Sequence, residues 1–237
     1  KYTKAKKKVL SIHGVYSEQV DALHSKTIST AAKITETKVL KWADKLTTDS
    51  KIVKKMYKEK LNVNFEFFYA PLDIKKFEKL KNVEKKEKQV IFIGRDSYEK
   101  GIDILKEIES KIDAKIIYCT NMKWEDAMEN LKASSLLVIP SRMESIPQVI
   151  KEAFYLKIPI IATNVGGIPE LITDNKTGIL IPPNDPKSLE NAINKLLVDN
   201  QTSKRLSDAG YEFVMENLTW EILLPKYVKF YEDLQKS

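Results

Sequence analysis

Short apolar runs recur along this chain at the spacing of a parallel sheet. "VIFIG" (90–94), "KIIYC" (115–119), "LLVIP" (136–140), "PIIAT" (159–163) and "GILIP" (178–182) are rich in Ile, Leu and Val. Amphipathic stretches over about 100–112, 124–133, 147–156 and 169–173 separate them, and three more helices are predicted out to Ser237. Continuous apolar strands alternating with helices mark a parallel sheet buried on both faces. The first half repeats the pattern more weakly. Strands are predicted at 8–13, 45–48 and 65–70, and helices at 28–43 and 50–60. Residues 73–89, dense in Lys and Glu, read as a short helix running into a solvated linker. The fold class expected is α/β.

In such a sheet ligands bind beyond the carboxyl ends of the strands. The chain has only seven Gly, and several fall there: Gly14, Gly94, Gly166 and Gly167 follow strands, and Gly101 opens a helix. Glycines at strand ends suit sharp turns or backbone that approaches a ligand, although any one of them could simply punctuate a loop.

Composition removes several function classes. With 237 residues, 43% hydrophobic and 31% charged, the chain suits one large or two small globular domains. Its longest charge-free run, 158–169, has 12 residues and contains two Pro and two Gly, too short and broken for a membrane span. A single Cys119 cannot form an internal disulfide, and two His with one Cys make a structural zinc site a poor fit. Residues 1–88 carry 22 Lys and 11 acidic residues, net +11, whereas 89–237 are net −4. The basic half suggests nucleic acid, but the chain has only three Arg (Arg95, Arg142, Arg205), and base readout and phosphate clamping favour Arg. A solvated Lys face is the plainer reading, and no nucleic-acid partner is expected. Cys119 reads as a small buried hydrophobe, Trp42 and Trp220 as core, and Trp124 as the start of a helix.

Three segments carry candidate chemistry. In "IGRDSYEKG" (93–101), Arg95 follows a strand and Lys100 precedes a helix, a pair of cations suited to a diphosphate; an ordinary surface Arg and Lys is the alternative. In "PSRMESIPQVIKEA" (140–153), Glu144 lies in the loop after the third strand of this half. Pro147 sits where a helix would start, and Glu152 lies in that helix's second turn. Carboxylates accept hydrogen bonds from hydroxyl pairs, which suits ribose or hexose, although such spacing also arises by chance in a Glu-rich chain. Free N–H groups over 145–148, a stretch containing Ser145, Ile146 and Pro147, favour an anion in the same space. In "IATNVGGIPELITDNKTGILIPPND" (161–185), a Gly-Gly turn precedes Pro169 and Glu170, and Glu170 suits the helix start electrostatically.

In order and spacing these three segments resemble the C-terminal half of family 4 glycosyltransferases, a retaining family with the GT-B fold; the match is strong over residues 90–186. "WADKLTTDSKIVKKMYKEK" and "FYAPLDIKKF" resemble the end of the family's N-terminal domain, with Ala70-Pro71 where Asn-Gly is common. "LTWEILLPKYVKFYEDL" is similar to its closing helix. The resemblance implies that Arg95 and Lys100 hold the donor diphosphate, that Glu144 contacts the transferred sugar, and that Glu152 binds the nucleotide ribose. His13, with Gly14, resembles the family's His near the donor sugar in the interdomain cleft, and an incidental strand-end His is the alternative. His24 has no comparable context. No Asp-x-Asp occurs, which argues against the metal-dependent transferase architecture.

The expected organisation is a partial N-terminal Rossmann-like domain over 1–74, a linker over 75–89, and a nucleotide-sugar-binding domain over 90–237. A last helix at about 219–235 is expected to cross back. The expected function is retaining transfer of a sugar from a nucleotide-sugar to an acceptor hydroxyl without a metal or further cofactor, a UDP-sugar ranking ahead of a GDP-sugar. The competing reading is a non-catalytic sugar-nucleotide-binding or scaffold subunit. Because the chain starts at Lys1, well inside the family's N-terminal domain, the missing strands are expected on another polypeptide or on a segment removed, unless the chain is a degenerate relative. The acceptor is a glycan, a lipid-linked saccharide or a polyprenyl phosphate. The location expected is cytoplasmic, with peripheral contact at the inner face of the membrane as an option. Five of the first eight residues are Lys, and a basic helix carries Lys51, Lys54, Lys55, Lys58 and Lys60 around Ile52, Val53, Met56 and Tyr57. That apolar stripe could instead be needed to pack the helix on its own sheet.

Overall fold

The computed structural model describes residues 6–14 and 26–236. His24, Lys1 and Lys4 lie outside them. The chain divides into two compact units, Lys1–Ala70 with Leu223–Ser237, and Pro71–Ile222.

The first unit holds a three-stranded parallel sheet in the order β1 (Val9–Ile12), β2 (Lys45–Thr48), β3 (Glu66–Phe67). Helix α1 (Lys26–Leu40) joins β1 to β2, and α2 (Lys51–Leu61) joins β2 to β3. Helix α1 stops short of the predicted residue 43. The Trp42 amide turns back to the Val39 carbonyl at 3.0 Å, and the Asp44 and Lys45 amides both bond the Lys8 carbonyl, starting the β1–β2 ladder. Trp42 is therefore outside the helix and 50% exposed, so its assignment to the core is corrected. Ser50 caps α2 through its side chain, accepting from the Val53 amide at 3.3 Å. The apolar stripe of α2 packs inward. Val53 and Tyr57 are buried, Ile52 packs against them, and the five lysines stay exposed. That stripe is thus spent on the unit's own core rather than offered to a bilayer.

The predicted strand at 65–70 pairs only over Glu66–Phe67. The next aromatics serve packing instead. Phe68 lies 5.0 Å from the Tyr227 ring and 5.1 Å from Phe230, and the Tyr227 hydroxyl donates to the Tyr69 carbonyl at 3.1 Å. These partners belong to the last helix, α9 (Trp220–Lys236), whose residues from Leu223 onward group with this unit. Trp220 itself is 42% exposed, which corrects its assignment to the core. Among the described residues no helix is long and apolar enough to cross a membrane.

The second unit is built on five parallel strands in the order β5-β4-β6-β7-β8. They are β4 (Gln89–Ile93), β5 (Lys115–Cys119), β6 (Leu136–Ile139), β7 (Ile160–Thr163) and β8 (Ile179–Ile181). The helices are α3 (Ile102–Ile108), α4 (Trp124–Ala133), α5 (Gln148–Tyr155), α6 (Ile168–Leu171), α7 (Pro186–Val198) and α8 (Asn200–Asn217). Alternate strand residues point to opposite faces. Val90, Phe92, Leu136, Val138 and Ile161 join one core with residues of α3 and α7. Their neighbours Ile91, Leu137 and Ile160 are equally sealed, so both faces of the sheet are covered. Each fully buried Ile, Leu or Phe contributes about 1.5–3 kcal/mol.

A 3-10 turn, Ile74–Lys79, precedes β4, with Asp73 capping it through a bond from the Lys75 amide. Its Phe77 is buried, 5.2 Å from the Trp124 ring and 4.7 Å from Tyr155. The predicted helix at 100–112 is shorter than expected, because Glu109–Lys111 tightens into a 3-10 turn before β5. Cys119 is buried, and desolvation pushes its thiol pKa up to about 11.

Candidate functional site

The strand order places a switch point in the second unit. From β4 the chain first runs outward to β5, then returns to β6 on the other side of β4. Ligands of open parallel sheets bind at such a point, beyond the carboxyl ends of the strands, here those of β4 and β6. The loop after β4 carries Arg95 and leads to Lys100. The loop after β6 carries Glu144.

Lys100 ends a 3-10 turn, Tyr98–Lys100, and is followed by Gly101 at φ 65°. A Cβ at Gly101 would lie 2.0 Å from the Pro140 carbonyl oxygen, so only Gly lets the two loops touch here. That contact brings Lys100 to Glu144, with Nζ 2.6 Å from Oε1 and the two side chains 23% and 9% exposed. The Ser141 hydroxyl donates to the same oxygen at 2.8 Å. Thr163, at the end of β7, donates its hydroxyl to the Ser141 carbonyl at 2.6 Å and pins the loop from below. An ammonium has three N–H donors, so Lys100 keeps two after meeting Glu144.

Gly166 and Gly167 permit a close approach within the protein itself. A Cβ on Gly166 would fall 1.8 Å from the Glu144 carbonyl oxygen, and one on Gly167 2.0 Å from that of Ser145. The pair lets the loop after β7 lie directly against the Glu144 loop, and the backbone it approaches is the protein's own. The Ser145 hydroxyl is buried without a hydrogen-bond partner among the described residues. Pro147 stands one position earlier than expected. It is the N-cap of α5 at φ −66°, and Gln148 is the first helical residue. Ile146 is buried beside it.

Arg95 is 73% exposed and pairs with Glu99 at 3.0 Å. The Glu99 backbone amide, followed by the charges of Arg95 and Lys100, holds the Glu99 carboxyl below its usual range, against the opposing effect of burial. The Glu99 carbonyl accepts from the Arg142 amide at 2.8 Å, another tie between the β4 and β6 loops. Arg142 strengthens that tie. Its guanidinium makes a bidentate pair with Asp103 at 2.8 and 2.7 Å, stacks on Tyr98 at 4.1 Å, and lowers the Asp103 pKa.

Glu152 does not join the Lys100–Glu144 cluster. It lies in α5 and accepts from the indole Nε1–H of Trp124 at 2.7 Å. Burial raises its pKa; the Trp124 bond and the charges of Lys151 and Lys76 pull it back down. Lys151 is itself fully buried. His13 belongs to the first unit, at the end of β1, with Nδ1 3.0 Å from an Asp49 carboxylate oxygen and Nε2 3.2 Å from the Ser11 hydroxyl.

Sequence reading missed Ser141, Arg142, Trp124 and Asp49. Ser141 and Arg142 stand inside the quoted "PSRMES" stretch, so their proximity to Glu144 was visible. Trp124 is 28 residues from Glu152 and carried no such signal.

Residues 108–213 match the family model described as glycosyl transferases group 1. Glu144, Ser145, Ile146, Pro147 and Glu152 lie within that match, and Arg95 and Lys100 precede it. An uncharacterized glycosyltransferase of Methanocaldococcus jannaschii is 29% identical over 168 residues, covering 61% of this chain and 48% of that protein. The chain spans about half the length of such curated relatives. Sucrose-phosphate synthase from Thermosynechococcus elongatus superposes with a TM-score of 0.81 at 18% identity, over 96% of this chain and 68% of the other. Anabaena HepE, in its complex with UDP-glucose, gives 0.75 at 15% identity, over 95% and 72%. The fold is thus the α/β fold of GT-B glycosyltransferases, and the stretch that matches the group 1 model, residues 108–213, falls within the second unit.

Proposed function

We propose that this protein is a retaining, family 4-type glycosyltransferase that moves a sugar from a nucleotide-sugar to an acceptor hydroxyl, and that residues 71–222 hold the donor. The observation that carries the reading is the Lys100–Glu144 pair, half-sheltered at the switch point of a parallel sheet. In the reaction the bond from the anomeric carbon to the β-phosphate oxygen breaks. The acceptor oxygen bonds that carbon and passes its proton to the departing β-phosphate oxygen, and the nucleoside diphosphate leaves. The two remaining N–H groups of Lys100, the Arg95 guanidinium and the amides of Ser145 and Ile146 neutralise the leaving phosphate, so no divalent metal is required. Glu144 orients hydroxyls of the transferred sugar, and Glu152 accepts from the ribose. HepE, of the same fold, was solved with UDP-glucose, which favours a UDP-sugar over a GDP-sugar.

The acceptor proposed is a glycan, lipid-linked saccharide or polyprenyl phosphate. The exposed lysines of α2 suit an anionic surface at the inner face of a membrane, held by charge alone. Glu144→Gln tests the core of the reading. Turnover of a UDP-sugar should fall at least a hundredfold while the affinity for free UDP changes by less than about threefold. Equal loss of both would remove Glu144 from the sugar site. UDP binding without any turnover in the unaltered protein would favour a non-catalytic donor-binding subunit. Loss of all activity on adding a chelator would refute the cation-based chemistry.

A further inference from the structure

We propose that Trp124 is a positioning residue for nucleotide binding, its indole N–H fixing the carboxylate of Glu152 for the ribose hydroxyls. The inference rests on the donor-site reading above and adds a residue to it.

Trp124 is the first residue of α4, and Glu152 lies in the second turn of α5. The indole Nε1–H donates to Glu152 Oε1 at 2.7 Å. The ring cannot swing away easily. Phe77 meets it edge-on at 5.2 Å and 79°, and Phe77 is in turn buried against Tyr155 at 4.7 Å. One N–H bond leaves the carboxylate with free lone pairs on both oxygens, enough for a vicinal diol. It also removes the rotational freedom that a ligand would otherwise have to freeze. The charges acting on Glu152 are Lys151 from its own helix and Lys76 from the 3-10 turn, with the indole N–H arriving from α4. Burial opposes ionisation here, and the indole bond offsets part of that opposition. A Trp kept only for packing would do none of this, and Phe could replace it.

Trp124→Phe keeps one aromatic ring and removes the donor together with the five-membered half of the indole; the packing part of that loss is common to both backgrounds below and cancels between them. Titration calorimetry with UDP is run on the unaltered chain, Trp124→Phe, Glu152→Gln and the double variant between pH 5.5 and 8. Loss of a hydrogen bond to a charged group should weaken UDP about tenfold in Trp124→Phe at neutral pH. The acid limb of its binding curve should move toward neutral pH, because the carboxylate now protonates more readily. In the Glu152→Gln background, where a neutral amide keeps only a weaker bond from the indole, the same change should cost clearly less. Unchanged affinity in Trp124→Phe, or an equal loss in both backgrounds, overturns the proposal. If Glu152→Gln itself leaves UDP affinity unchanged, the ribose assignment falls instead; if UDP does not bind the unaltered chain, the donor reading falls and this inference with it. An independent check needs no folded variant: the indole Nε1–H resonance of Trp124 in the native chain should shift on saturation with UDP, and a static resonance refutes the role.

Discussion

Gly166→Ala tests the idea that the loop after β7 holds Glu144 in place. The residue has φ 52°, where an L side chain costs about 1–2 kcal/mol. The added Cβ would also fall 1.8 Å from the Glu144 carbonyl oxygen, and real Cβ contacts stay above 3.0 Å. Backbone must therefore move by about 1 Å in a loop already pinned through Ser141 and Thr163, an overpacking cost of about 1–3 kcal/mol. The two terms together give about 3 kcal/mol. With a urea m-value of about 2 kcal/mol/M for a unit of this size, the unfolding midpoint should drop by about 1.5 M. Gly94→Ala is the control. Its φ is not left-handed, and its nearest new neighbour is the tip of the Phe92 ring at 3.2 Å. It should cost less than about 1 kcal/mol. Equilibrium urea unfolding of both variants, followed by circular dichroism, decides the matter. A Gly166→Ala midpoint no lower than that of Gly94→Ala would show that this loop does not brace Glu144.

Lys100→Ala should weaken UDP binding at least tenfold by calorimetry and Arg95→Ala less, since Arg95 is largely exposed and screened; no change in either removes the phosphate assignment. Burial raises the Glu152 pKa in the folded state, so between its unfolded and folded values the native chain binds more protons and stability falls as pH rises through that window. Glu152→Gln, which can still accept from Trp124, should make the unliganded chain more stable at neutral pH and flatten that dependence in pH-resolved melting; an unaltered melting profile would contradict the burial argument. The exposed lysines of α2 predict vesicle co-sedimentation that needs anionic lipid and vanishes at high salt, each Lys near the surface contributing about 1 kcal/mol; no binding to anionic vesicles at low salt would refute the membrane contact.

The sequence by itself determined the class of fold and the positions of the strands in the second half. Ile, Val and Leu in unbroken runs can be satisfied only where both faces are covered, so "VIFIG" and "LLVIP" had to become central parallel strands. It also put Lys100 and Glu144 at strand ends, because motifs local to one loop are local in the sequence. What it could not fix were boundaries and partners set by distant chain. "FEFFYA" is aromatic enough for a long strand, yet only Glu66–Phe67 pairs, since Phe68 packs on a helix 160 residues away. Trp42 and Trp220 looked like core by residue type, and their exposure depends on where the neighbouring helices end or begin. The Gly-Gly turn was legible as close approach but not as approach to the Glu144 loop. Only the tertiary structure decided that Lys100 meets Glu144 and that Glu152 meets Trp124. Those pairs are made by loops and helices from different strands of one sheet, and no local spacing encodes which of them touch.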